Sequence, residues 1–165
     1  MGILQMLQRR RLRKTLQASA SPEAIAKLVR ETKHEIRLPE VKHFQFVVML
    51  VDDTNPQEVP AMISKVVGTL VRQRATVENI SSSLLVGLLG VPFPEGNSPQ
   101  ARLELVDALL QDNGDRIRIA HGECDGAVGM FGGHERWTYG AMIPGFSGVL
   151  KKLLETEFGT AVEIS

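Results

Sequence analysis

The chain has 165 residues, 43% of them apolar and 23% charged, with formal net charge +0 and one cysteine. That is enough apolar content for a folded core, which excludes wholesale disorder. Neutrality argues against nucleic acid as a partner of the whole chain. The single Cys124 excludes an internal disulfide framework and a cysteine-based zinc site, and no apolar run reaches the ~18 residues a membrane span needs.

The charge is unevenly spread. Residues 1–43 carry ten Lys/Arg and four acids, and residues 44–165 carry nine and fifteen, so the two parts are +6 and −6. Residues 1–43 therefore read as a basic helical extension and 44–165 as the folded domain. At the start, Arg9, Arg10, Arg11, Arg13 and Lys14 come without an acid, and Ile3, Leu7, Leu12 and Leu16 share part of a helical face. Residues 1–17 are thus a candidate contact for an anionic membrane surface, weighed against a solvated or partner-packed helix. The charges follow the apolar residues, the reverse of a secretory signal, so the expected compartment is the cytosol. Ser21 and Pro22 open a second helix, and Pro39 ends it.

From residue 44 the texture changes. "HFQFVVMLV" is apolar almost throughout and predicts a central strand. It ends in Asp52 and Asp53. "QEVPAMISKVVGTLVRQR" predicts a helix burying Met62, Ile63, Val66, Val67 and Leu70, with Arg74 on the same spacing. "ATVENI" and "LLVGLLGV" predict a hairpin around "SSS". Ser98 and Pro99 start a helix that buries Leu105, Val106, Leu109 and Leu110. "RIRIAHG" and "GAVGMFGG" predict two strands around "ECD", and "WTYGAM" continues the sheet. "FSGVLKKLLETEFG" predicts a helix with Phe146, Val149, Leu150, Leu153 and Leu154 inward and Gly159 as its stop; "TAVEI" is a last strand. This order predicts an α+β fold, a ferredoxin-like sheet with helices on one face.

Two acids after a buried strand suggest half of a metal site, but acids placed there more often cap the next turn, and that is the favoured reading. His121, Glu123, Cys124 and Asp125 are metal-ligating types, but a strand sends neighbours to opposite faces. The Ser81–Ser83 run and the glycines at 122, 126, 129, 132 and 133 do not make a phosphate loop of the Gly-Lys-Ser/Thr type. Trp137 and Tyr139, two apart, are candidates for an interface, a pocket wall or plain sheet packing.

From about residue 21 to the end, the sequence resembles the catalytic domain of class III adenylate and guanylate cyclases. Five pieces agree in order: "SPEAIAKLV", "VVMLVDD", "ATVENISSSLLVGLLG", "IRIAHGECDGAVGMFGG" and "YGAMIPGFSGVLKKLLE". The resemblance implies the cyclase-homology fold and puts Asp53 on the first metal aspartate. It also puts Ser83 on the second, with Ser82 on the glycine before it. Asn79 falls on the base-reading lysine, and Pro144 or Gly145 on its aspartate partner. Ser147 or Gly148 falls on the transition-state asparagine, and Lys151 or Lys152 on the arginine. A serine hydroxyl does not replace a carboxylate toward a hard cation, and lysine lacks the planar fork of arginine. The implied site is degenerate, with Asp53, and more weakly Asp52, as an incomplete metal position. Asn79, Ser83, Lys151 and Lys152 are what remains of the nucleotide positions. The first expectation is a catalytically inactive regulatory or dimerisation module, as a homodimer or with another cyclase-like domain. No cofactor is expected beyond weak Mg²⁺ or Mn²⁺ with nucleotide. A nucleotide-binding sensor without turnover and an active cyclase with a rearranged site are the alternatives.

Overall fold

The computed structural model describes residues 39–92, 94–133 and 136–165. The expected helices of the basic extension, and the candidate membrane contact at residues 1–17, lie outside the described residues. The elements are β1 (Glu40–Val51), α1 (Val59–Arg72), β2 (Thr76–Asn79), β3 (Leu84–Leu89), α2 (Pro99–Asn113), a 3₁₀ turn (Gly114–Arg116), β4 (Ile117–Gly133), β5 (Arg136–Ala141), α3 (Phe146–Glu155) and β6 (Ala161–Glu163). Among the described residues no helix is long and apolar enough to cross a membrane.

The sheet runs β2-β3-β1-β4-β5, and β6 pairs with β4. Those pairs are antiparallel except β4 with β6, which is parallel, so the sheet is mixed. β1 is central, as its continuous apolar run requires, and it buries both faces. Phe44, Phe46 and Val48 lie in one core cluster; Val47, Met49 and Val51 lie in the other. This is the two-residue alternation of a strand covered on both sides.

The helices divide between those faces. α1 and α2 supply Val66, Leu70, Leu105, Val106 and Leu109 to the cluster around Val47 and Met49. α3 supplies Val149 and Leu153 to the cluster around Phe44 and Phe46. The expected single helical layer is therefore α1 with α2, and α3 covers the reverse face. Periodicity shows which side of a helix is apolar, not which sheet face receives it. Leu154, expected inward, is 60% exposed.

Local chemistry sets the helix ends. The Ser98 hydroxyl accepts from the Ala101 N–H at 3.1 Å and Pro99 takes the first helical position, a good α2 start. α1 stops at Arg72. Arg74, expected on the helical face, has φ 60° and turns the chain into β2. Gly159 is not the helix stop, because α3 ends at Glu155. Its φ of 81° instead serves the turn into β6, where its N–H bonds to the Ile117 carbonyl at 2.7 Å.

The two strands expected around "ECD" are one strand of 17 residues. Glu123, Cys124 and Asp125 pair with Gln45, Phe44 and His43 of β1. Twelve consecutive pairings with β1 outweigh the turn-like composition of that segment. Gly126 permits the closest approach. A Cβ there would meet the Met142 carbonyl oxygen and the Phe44 ring.

Gly126→Ala is expected to cost about 1–3 kcal/mol through overpacking. Gly148→Ala, with open space around its Cβ and a position inside α3, is expected to gain up to about 1 kcal/mol. Urea unfolding midpoints of the two variants check the contrast, and equal effects would contradict the packing described for Gly126.

Candidate functional site

The carboxyl end of β1 is held from two sides. The Val51 N–H bonds to the Ser83 carbonyl at 2.9 Å, and the Asp52 N–H bonds to the Arg116 carbonyl at 2.8 Å. The chain therefore leaves the strand between the β2–β3 hairpin and the turn before β4. Ser83, 7% exposed, is brought beside the end of β1, where the sequence reading places the second metal position.

Asp52 is committed locally. Its Oδ1 accepts from the Thr54 N–H at 3.0 Å and the Thr54 hydroxyl at 2.8 Å. Its Oδ2 lies 3.6 Å from Arg116 Nε. The Thr54 N–H bond first, then the Thr54 hydroxyl and the Arg116 charge, hold this carboxyl below the usual range. This is the turn-capping role of an aspartate. Asp53 is exposed. The serine turn is organised by its first member: the Ser81 Oγ accepts from the Leu84 N–H at 3.2 Å, and the Ile80 and Ser81 N–H groups bond to the Leu84 carbonyl. Among the described residues no group of three His, Cys, Asp or Glu is placed to hold a metal ion.

The remaining positions fall on neighbouring elements. Asn79 ends β2 opposite Leu85. Its neighbour Glu78 accepts from the Ala141 N–H at 3.0 Å, which joins the end of β2 to the end of β5. Burial pushes the Glu78 carboxyl up, and that hydrogen bond opposes the shift. Pro144 and Gly145 follow shortly after, and Gly145 caps α3. Ser147, Gly148, Lys151 and Lys152 lie on α3, and both lysines are exposed. The structure thus brings Ser83 beside Asp52 and sets Asn79 near the segment that follows β5. Trp137 and Tyr139 are on β5, their backbones opposite Gly132 and Met130.

A second polar cluster lies under α2. His121, Glu123 and Asp125 alternate with Gly122 and Cys124 along β4, so the first three share the α2 side. Arg102 of α2, with only 4% of its side chain exposed, donates to Gln45 Oε1 at 2.8 Å and to Glu163 of β6. Gln45 donates to Glu123 at 3.0 Å and to Asn97 at 3.3 Å, and His43 Nδ1 lies 3.0 Å from Asp125. A cleft of about 460 Å³ opens here, lined by Arg102, Glu123, Glu163, Ile164 and Ser165. The side chains pair with one another instead of converging on a cation. Cys124 lies on the other face. Burial, with the nearby Asp125 charge, pushes its thiol up to about 11, so it is not a nucleophile near neutral pH.

The sequence reading singled out His121, Glu123 and Asp125 but missed Gln45 and Arg102, although two signals mark them. Gln45 interrupts the apolar run of β1. Arg102 precedes Leu105, Val106 and Leu109 by three, four and seven residues, the spacing of one helix face.

His121, 5% exposed, is held below the ordinary histidine value of 6.5 by burial first and by the Arg102 charge second; Glu163 opposes them. The unfolded chain therefore binds the proton at a higher pH than the native one, so stability falls as pH drops below about 6.5. His121→Gln removes this contribution. The expected result is a smaller loss of urea midpoint between about pH 7.5 and pH 5.5 than in the parent protein. An unchanged pH slope would contradict a neutral buried imidazole.

No protein-family model matches the chain, and no curated protein matches it. Solved structures do. The guanylyl cyclase Cya2 superposes with TM-score 0.59 at 15% identity over 76% of this chain and 76% of that one. The adenylyl cyclase CyaB from P. aeruginosa gives 0.59 at 12% identity, over 75% and 78%. A bacterial light-regulated adenylyl cyclase gives 0.66 at 8% identity, covering 93% of this chain and 51% of that one. At such identities the likeness speaks for architecture alone: the chain has the α+β cyclase-homology fold of the class III adenylyl and guanylyl cyclase catalytic domains.

Proposed function

We propose that this domain acts by association and not by turnover, as a regulatory or scaffolding module that pairs with a second copy or with another cyclase-like domain. The observation that carries this reading is Ser83 at the end of β1, bonded through its carbonyl to Val51. A two-metal phosphoryl site needs carboxylates there to clamp the attacking and leaving oxygens, and a hydroxyl supplies no charge. Asp52 does not make up the deficit, since Thr54 and Arg116 already engage it. Asn79, Lys151 and Lys152 depart from the cyclase pattern as well, so several independent roles are unfilled. An identical second copy would bring the same departures to both halves of a shared site. Association is supported by the surface near these positions. β5 is the last strand on its side of the sheet. Met142 after β5 is 61% exposed, and Leu154 of α3 is 60% exposed.

The test combines a cyclase assay with calorimetric titration of ATP and GTP into the folded chain, in Mg²⁺ and then Mn²⁺, and with sedimentation to measure self-association. The expected result is no cyclic nucleotide and no saturable heat. Ser83→Asp is not expected to start turnover, because it restores one carboxylate and none of the other groups. Cyclic nucleotide from the parent protein would overturn the proposal. Saturable heat lost in Asp53→Ala would replace it with a nucleotide sensor that binds without turnover.

A further inference from the structure

We propose that the carboxyl end of β1 is a cation position whose cation is built into the chain: Asp52 and Glu58 converge on the Arg116 guanidinium in place of a divalent metal. Arg116 ends the 3₁₀ turn before β4. Its backbone carbonyl accepts the Asp52 N–H at 2.8 Å, so the turn is fastened to the strand end before the side chain is considered. The guanidinium then reaches both acids. Nη2 donates to Glu58 Oε2 at 2.6 Å, and Nε lies 3.6 Å from Asp52 Oδ2. Asp115 adds a third negative charge to its surroundings. Nε is buried and donates no hydrogen bond, so at 3.6 Å it acts on Asp52 as a charge.

Two carboxylates at the two ends of the β1–α1 connection, both within 3.6 Å of one guanidinium, would repel each other across that space if it were neutral. A divalent metal is one way to stabilise such a pair, and a tethered guanidinium is another. The tethered cation is present at unit occupancy and does not depend on solution metal. The Thr54 hydrogen bonds fix the direction of the Asp52 carboxylate, Nη2 fixes that of Glu58, and Asp53 remains exposed. Metal entry here would require displacing a cation that the fold holds by its own backbone.

The experiment uses the full chain without nucleotide and Mn²⁺ as the probe, followed by thermal melting and by the spin-resonance signal of free Mn²⁺. The parent protein and Arg116→Lys, which keeps the charge, are expected to show no saturable Mn²⁺ uptake. Arg116→Gln is expected to melt lower than the parent and to take up Mn²⁺. At about 5 mM Mn²⁺ its midpoint should rise by about 3 °C, as a site of about 1 mM affinity gives a domain of this size. Adding Glu58→Gln should abolish that rise, which a merely structural role for Arg116 does not require. Saturable uptake by the parent that is lost in Asp52→Asn would overturn the inference. So would an Arg116→Gln protein that folds and ignores Mn²⁺. If Arg116→Gln does not fold in metal-free buffer, recovery of folded protein with Mn²⁺ supports the inference and failure under both conditions overturns it.

Discussion

β1 is hydrogen-bonded along both edges, to β3 and to β4, and it is packed on both faces. A strand enclosed in this way cannot slip by one residue. A slip would exchange Phe44, Phe46 and Val48 with Val47, Met49 and Val51, and each set fits only its own face. The point where the strand ends is therefore fixed, and so are the residues beside it. Ser83 and Arg116 both bond to backbone within two residues of that end. The arrangement of the candidate site is a consequence of the register of β1 and needs no ligand to define it.

That independence lets the residues at the strand end vary while the fold is kept. Asp52, Asp53 and Ser83 contribute no side chain to either core cluster. Their replacement leaves the apolar burial that stabilises the domain unchanged. Backbone bonds at Val51 and Asp52 do not depend on side-chain identity. At position 83 the contact to β1 is made by the backbone carbonyl.

Much of the fold was legible in the residues. The apolar run of β1, the Ser98–Pro99 start of α2 and the hairpin around the serines carry local signals that tertiary contacts reinforce. β4 was not legible. Glycines and the Glu-Cys-Asp triplet have turn-like composition, and only the long partner strand makes that stretch extended. The face that receives α3 was hidden for a related reason, since it depends on how the chain crosses the sheet. For the site, the two aspartates were visible, but Asp52's partners were not. Thr54 is local, whereas Arg116 lies 64 residues away and meets Asp52 only after β4 pairs. Arg102 and Gln45 likewise find each other across 57 residues.

The two arginines show how position decides what a charge does. Arg102 is almost fully buried, so it is stable only with its hydrogen bonds made, and Gln45, Glu123 and Glu163 surround it. Removing a partner there strands a charge inside the protein. Arg116 is 38% exposed along its side chain, and solvent moderates its pairing with Asp52 and Glu58. Its effect is on charge placement more than on total stability: it balances acids that would otherwise repel. The first arginine holds α2 to the sheet, where no chemistry is implied. The second lies at the carboxyl end of β1, paired with Glu58 at 2.6 Å and 3.6 Å from Asp52, where it offsets the charge of both acids.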